Sequence, residues 1–225
     1  MTFDVQVIIK HLSWIFHGLN ITLLINSLAL PIAFILGLVV CTALMSRFKL
    51  IRYIARAYVE VMRNVPLLIQ IFIVFYVLPF YGVRIGPLET GIGCLAVYGA
   101  AYFAEIIRGA ILSVPRGQVE AARALGLRSG KIMYKIILPQ MLGYLIPNAT
   151  NIGISFIKES SVLSMITVTE LTFYSNYIIG KTYTAVEILC VIAVIYWIIL
   201  AVFSFGMKFL EKRFVLSAKL GRMGI

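Results

Sequence analysis

The sequence predicts an all-α, polytopic membrane protein with five transmembrane helices, and three observations carry that prediction. The 225-residue chain is 61% hydrophobic and only 13% charged. Long stretches, Leu19–Ser46 and Asn64–Gly82 among them, contain no charged residue. The bases that remain gather in segments that alternate with the apolar ones. A soluble domain of this length needs a polar surface that this composition does not supply, whereas lipid is a solvent in which so apolar a helical chain can fold.

The elements follow in order. The opening segment, MTFDVQVIIKHLSWIFHGLN, places an acid before its first base and has no short apolar core ending in small residues. No cleavable signal peptide is expected, and the segment reads as a short amphipathic helix at the interface with Trp14 as its anchor. The first span is Leu19–Leu44. The second is Tyr53–Phe80, most apolar after Asn64. The third is Gly91–Leu112. The fourth begins near Met141 and is interrupted around Lys158, and the fifth is Val186–Leu210. Each is long enough to cross, since about 20 residues at about 1.5 Å each match a hydrocarbon core of roughly 30 Å. Residues 1–225 are expected to form a single transmembrane domain whose longest connection is the loop 113–140.

The loops set the orientation. Arg47, Lys49, Arg52 and Arg56 lie after the first span. Arg116, Arg123, Arg128, Lys131 and Lys135 lie between the third and fourth. Lys208, Lys212, Arg213, Lys219 and Arg222 lie in the tail. Fourteen of the 20 bases therefore share one side, against Lys10, Arg84 and Lys181 on the other. The positive-inside rule then puts the N-terminus outside and the C-terminus in the cytoplasm, as five spans require. The net charge of +11 would suit nucleic acid in a soluble protein. Here its placement points to membrane lipid, and no nucleic-acid partner is expected.

Cys41, Cys94 and Cys190 sit singly in apolar segments with no CxxC spacing, and His11 and His17 have no evident ligand set. The cysteines read as small buried hydrophobes, and no metal site is expected at the histidines. Ser175–Thr182, SNYIIGKT, ends like a phosphate-binding loop but begins with serine where the first glycine belongs and follows no strand. It is not expected to bind nucleotide.

The connection SVPRGQVEAARALGLRSGKIMYKIILPQ carries the strongest functional signal. Glu120 to Leu125 favour helix, Gly126 stands where helices commonly end, and a second short helix, Lys131–Ile137, is expected to stop before Pro139. A helix, glycine turn and helix with apolar and basic faces is the shape of a docking element.

Its spacing, Glu120-Ala121-Ala122, three residues, Gly126, nine residues, Ile136, one residue and Leu138-Pro139, resembles the EAA loop of ATP-binding-cassette importer permeases. Flanking segments resemble the polar amino-acid permeases of that group. These are Arg63–Gln70, Ala101–Ile111, Pro115–Gln118 and Ile157–Ser161, although relatives often have Gly-Thr at Asn64-Val65. The resemblance implies the type I ABC importer permease fold and a bacterial inner-membrane location. It implies two permease subunits, the same or paralogous, and an extracytoplasmic solute-binding protein that delivers an amino acid. A cytoplasmic ABC ATPase dimer would dock on Arg116, Gly117, Gln118, Glu120, Ala121, Ala122, Gly126, Ile136, Leu138 and Pro139. ATP and Mg would be held by that ATPase. This chain would bind no cofactor and have no catalytic residues.

Polar residues within spans are costly and mark function or a structural network. Glu60 with Arg63, and Glu105 with Arg108, are each spaced to pair along one helix face. Such pairs either hold helices together, contact solute or gate its passage. Asn151, Lys158, Glu159 and Ser160 concentrate polarity in the fourth span, and Gln70 in the second. Lys158 and Glu159 could complement the carboxylate and ammonium of a zwitterion, or belong to a structural network. They point about 100° apart on a helix and must look to other partners. A secondary carrier or channel would need no docking loop of this pattern. A purely structural membrane protein would not need these placed charges. Permeases for other small solutes share the loop, and only its flanks favour amino acids.

Overall fold

The structure is a computed structural model that describes residues 3–222, with side chains described as far as Phe214. The tail bases Lys219 and Arg222 therefore lie outside the described side chains. Helix α1 (Val5–Leu44) runs unbroken for 40 residues, about 60 Å at the α-helical rise. The separate interfacial helix expected before Leu19 is absent. Asp4 caps α1 by accepting the Gln6 N–H at 2.9 Å, and no proline interrupts it before Pro31. Trp14 packs on Tyr177, ring centroids 5.1 Å apart, rather than serving as a lone anchor.

Between α1 and α4 (Pro87–Leu112) lies the main helix contact of the bundle. Ala29, Ala33, Gly37 and Cys41 are all buried and, four residues apart, share one face of α1. Small residues there let the backbones close. A Cβ on Gly37 would lie 2.6 Å from the Phe103 Cβ and 3.2 Å from the Ala100 carbonyl oxygen. This is how helices pack where lipid removes most of the hydrophobic drive.

The second expected span proves to be two pieces. They are α2 (Lys49–Asn64) and α3 (Leu67–Phe72), the latter carried to Tyr81 by a π turn (Ile73–Val77) and a 3-10 turn (Leu78–Tyr81). They meet at 106°. Pro66 disfavours helical backbone in the residue before it, and Val65 is extended at ψ 129°. Gln70 braces the corner, its Nε2 donating to the carbonyls of Met62 at 3.0 Å and Val65 at 2.8 Å.

The loop contains α5 (Arg116–Ala124) and α6 (Ser129–Ile132). From Ser129 the chain stays helical through a π turn (Met133–Ile137), α7 (Leu138–Glu159) and a 3-10 segment (Ser160–Ile166). The expected stop before Pro139 does not occur. The Leu138 N–H bonds five residues back, to Met133. That widened turn relieves the crowding a proline ring imposes on the carbonyl four residues earlier. The same arrangement precedes Pro79, where the Leu78 N–H reaches Ile73.

The interruption expected around Lys158 falls after Glu159, where α7 gives way to the 3-10 segment. The chain then bends by 51° into α8 (Leu171–Thr182). Ser175–Thr182 is therefore helical rather than a phosphate loop. Helix α9 (Ala185–Arg222) outruns the expected fifth span at its C-terminal end. The helices α1, α4 and α9 are each long and apolar enough to cross a membrane, and counting each bent pair as one span gives five. Trp197, Phe205 and Phe209 on α9 stand 70%, 77% and 66% exposed, apolar area that lipid or another membrane subunit can cover.

Candidate functional site

Two parts of the molecule concentrate functional chemistry. The first is the loop 113–140. Helix α5 ends in a Schellman motif: the Leu127 N–H donates to the Ala122 carbonyl at 3.1 Å, and the Gly126 N–H to that of Arg123 at 2.9 Å. Gly126 has φ +74°, a backbone state that favours glycine. Ala122 is the buried residue of α5, whereas Arg116, Gly117, Gln118, Glu120 and Ala121 are exposed and Leu125 is 81% exposed. Gln118 ties the loop to the body, its Oε1 accepting from Gln140 Nε2 at 2.6 Å. Ile136 is half-buried, and Leu138 and Pro139 are exposed beside it. The Gly126 turn thus presents α5 as a rigid, solvent-facing knob joined to α7.

The second part is a cleft of about 290 Å³ between α4 and α7, near the lower end of the roughly 300–1,000 Å³ of small-molecule pockets, with Ile106, Ile152 and Phe156 as its apolar walls. Glu159, Ser155, Asn151 and Asn148 form one stripe of α7, and Tyr98 and Tyr102 face them from α4. The two tyrosine hydroxyls are 2.9 Å apart. The Tyr98 hydroxyl interacts with the Glu159 carboxylate, while the buried Glu159 Oε2 makes no hydrogen bond. A carboxylate oxygen without a donor, beside hydroxyls and amides, can accept an ammonium group while its neighbours serve a carboxylate.

The remaining sequence candidates divide. Lys158 is exposed and does not line this cleft. Ser160 is buried, donating to the Ile157 carbonyl at 2.9 Å and accepting from Asn26 Nδ2 at 3.0 Å. Gln70 braces the corner described above. Glu60, Arg63 and Glu105 line a second cleft of about 650 Å³ with Arg56 and Arg108. There Glu105 pairs with Arg108 at 2.7 Å, while Arg63 lies with its guanidinium carbon 5.4 Å from the centre of the Tyr102 ring. Tyr98 and Tyr102 were not among the sequence candidates. Their four-residue spacing, continued by Glu105 three residues on, was the available signal.

Comparison with known proteins agrees with this architecture. The profile of the family described as binding-protein-dependent transport system inner membrane component matches residues 11–216. The chain belongs to that family. Relatives of this permease include the probable amino-acid ABC transporter permease protein YckA of Bacillus subtilis (strain 168), 34% identical over 94% of each chain. The glutamine transport system permease protein GlnP of Escherichia coli (strain K12) is 34% identical over 95% of this chain and 98% of that one. Among solved structures, the permease superimposes with a TM-score of 0.89 on a chain from the crystal structure of an amino acid ABC transporter with histidines. That match has 35% identity and covers 95% of this chain and 100% of the other. The permease is thus an all-α membrane subunit of an ABC importer, and ATP hydrolysis lies with a separate subunit.

Proposed function

We propose that this permease forms a translocation path for an amino acid and couples it to a cytoplasmic ATPase dimer through the loop 113–140. The observation that carries the reading is the continuous helical rod Ser129–Ile166. It joins the knob at Gly126 to the cleft at Glu159. Some 30 residues separate Ser129 from Glu159, about 45 Å of helix. A push on α5 is therefore delivered to the cleft as a rigid-body tilt, the kind of motion that alternates access between two sides. The relatives named above as amino-acid and glutamine permeases support the choice of solute class.

In this reading Glu159 receives the solute ammonium, with Asn151, Ser155, Tyr98 and Tyr102 around it. Ser160 holds the helix break. Lys158, Glu60, Arg63 and Glu105 act outside the cleft. A second permease subunit, the same or paralogous, completes the membrane unit, and an extracytoplasmic binding protein delivers solute. ATP and Mg reside on the ATPase, and this chain binds no cofactor. The N-terminus faces outward and the loop faces the cytoplasm. The test is reconstitution with a partner ATPase and binding protein, followed by uptake of a panel of labelled amino acids. ATP-dependent uptake of at least one is expected. Stable ATPase association without uptake of any amino acid, but with uptake of another solute, overturns the solute class. Failure of the ATPase to associate at all overturns the coupling role.

A further inference from the structure

Two cavities in this chain share a wall. The cleft at Glu159 lies between the middle of α4 and the C-terminal half of α7. The wider cleft of about 650 Å³, with Arg56, Glu60, Arg63, Asn64, Glu105 and Arg108 in its lining, lies nearer the end that bears the loop 113–140. Tyr102 is common to both linings. Its hydroxyl is 2.9 Å from that of Tyr98, on the side of the Glu159 cleft. Arg63, from the wider cleft, sits over its ring at 5.4 Å.

We propose that the Tyr102 ring is the cytoplasmic gate of the solute path, closing the Glu159 cleft from the wider vestibule until α2 carries Arg63 away from it. The inference rests on the reading of that cleft as the amino-acid path. Three features argue for it. First, the ring is held by two reversible contacts, a hydroxyl pair and a cation over its face. Glu105 is taken by Arg108, and among the described residues Glu60 and Arg63 do not form the ion pair their spacing allowed, so the contact of the Arg63 guanidinium is the ring.

Second, the two partners sit on different helices, α4 and α2, which meet through the Tyr58 hydroxyl on the Val97 carbonyl. Tyr102 sits on α4, which is packed along α1. Arg63 sits in the last turn of α2, next to the corner of 106° at Val65–Pro66. A cation–π contact requires the cation near the ring face, so a small swing of α2 about that corner ends it. Third, a phenol edge presents a passing zwitterion with no full charge that would hold it. Beyond it, the mixed charges of the vestibule keep the exit wet.

Cysteine accessibility in the assembled, reconstituted transporter tests this. Cys41, Cys94 and Cys190 are replaced by alanine, and Ser155→Cys places a reporter in the inner cleft. A membrane-impermeant methanethiosulfonate is then added from the cytoplasmic side. A closed gate leaves the open state a minor population of about 0.1–10%, so Tyr102→Ala is expected to speed labelling on the order of tenfold or more. Tyr102→Phe, which keeps the ring beneath Arg63 but loses the hydroxyl pair, speeds labelling less than Tyr102→Ala, whereas Arg63→Gln speeds labelling and Arg63→Lys does so less.

Unchanged labelling in both Tyr102→Ala and Arg63→Gln overturns the gate. Acceleration by Tyr102→Phe equal to that by Tyr102→Ala overturns the ring as the barrier. Acceleration by Tyr102→Ala alone overturns the role given to α2. If Tyr102→Ala does not assemble, Arg63→Gln decides. Uptake by the unaltered complex is scored separately. Absent uptake with accelerated labelling sinks the transport reading, while normal uptake with unaccelerated labelling sinks the gate alone.

Discussion

The side-chain amide of Asn26, midway along α1, donates to the Ser160 hydroxyl at 3.0 Å across 134 residues of sequence. The same amide donates to the Thr22 carbonyl at 2.9 Å, and the Thr22 hydroxyl accepts the Leu171 N–H at 3.1 Å. Two side chains one turn apart on α1 therefore hold both ends of the break between α7 and α8. All of these groups are buried. Asn26→Leu removes two buried bonds and is expected to lower stability by about 1–3 kcal/mol. Thermal unfolding of the detergent-purified protein reads this directly, and an unchanged midpoint would rule it out.

Gly18 packs against the same break. A Cβ there would lie 2.9 Å from the Leu171 Cα and 3.0 Å from the Glu170 carbonyl oxygen, backbone atoms that cannot rotate away. Gly18→Ala is expected to destabilise by about 1–3 kcal/mol. Gly93→Ala, with no heavy atom within 4 Å, is expected to be neutral or slightly stabilising because alanine is the better helix former. Equal effects of the two on the unfolding midpoint would contradict the packing argument.

Gly126 lies in open space, so only its backbone constrains it. At φ +74°, Gly126→Ala carries a strain of about 1–2 kcal/mol. Gly126→Asn carries less, and Gly126→Pro cannot adopt the turn and loses the bond to Arg123. ATPase association and uptake are expected to decline in the order Gly, Asn, Ala, Pro while membrane insertion is unchanged. Co-purification and uptake assays report the order, and an active Gly126→Pro variant would defeat the coupling role.

Glu159 and its neighbour Lys158 separate experimentally. Hydrogen bonds to charged groups are worth about 1.5–3 kcal/mol, so Glu159→Gln is expected to reduce uptake per assembled complex by about tenfold or more. Lys158→Met, outside the cleft, is expected to leave uptake within about threefold, as for a surface change of under about 0.5 kcal/mol. Uptake in proteoliposomes, normalised to assembled complex, makes the comparison. Wild-type uptake by Glu159→Gln would move the solute site elsewhere.

Topology is checked with alkaline phosphatase fusions. A fusion near Pro87 is expected to be active and one near Gly130 inactive, as the positive-inside rule requires of the proposed orientation. The reverse pattern would overturn the orientation and the coupling role of the loop together.

Much of the fold was readable because its causes are local. Runs such as Leu19–Ser46 require lipid whatever they pack against. The turn at Gly126 follows from the helix formers before it and the glycine after them. The polar run at Lys158, Glu159 and Ser160 marked the fourth span as interrupted before any contact was known. Proline was read less well. Pro66 does break a helix, but Pro139 is passed, because a π turn ahead of it removes the clash that a regular helix would have.

By itself, then, the sequence determined the membrane class, the positions of the apolar segments, the basic loops and the docking turn, all set by composition and neighbouring residues. Only the tertiary structure decided that Asn26 meets Ser160, that Gln70 braces the corner at Pro66, and that Tyr102 stands between Arg63 and the Glu159 cleft. The reason is physical. A helix that is apolar all round shows no polar stripe to say which face turns inward. In lipid that choice falls to close packing of small residues such as Ala33 and Gly37 against a distant helix, and to buried hydrogen bonds across it. Those partners lie far apart along the chain, and nothing local to either names the other.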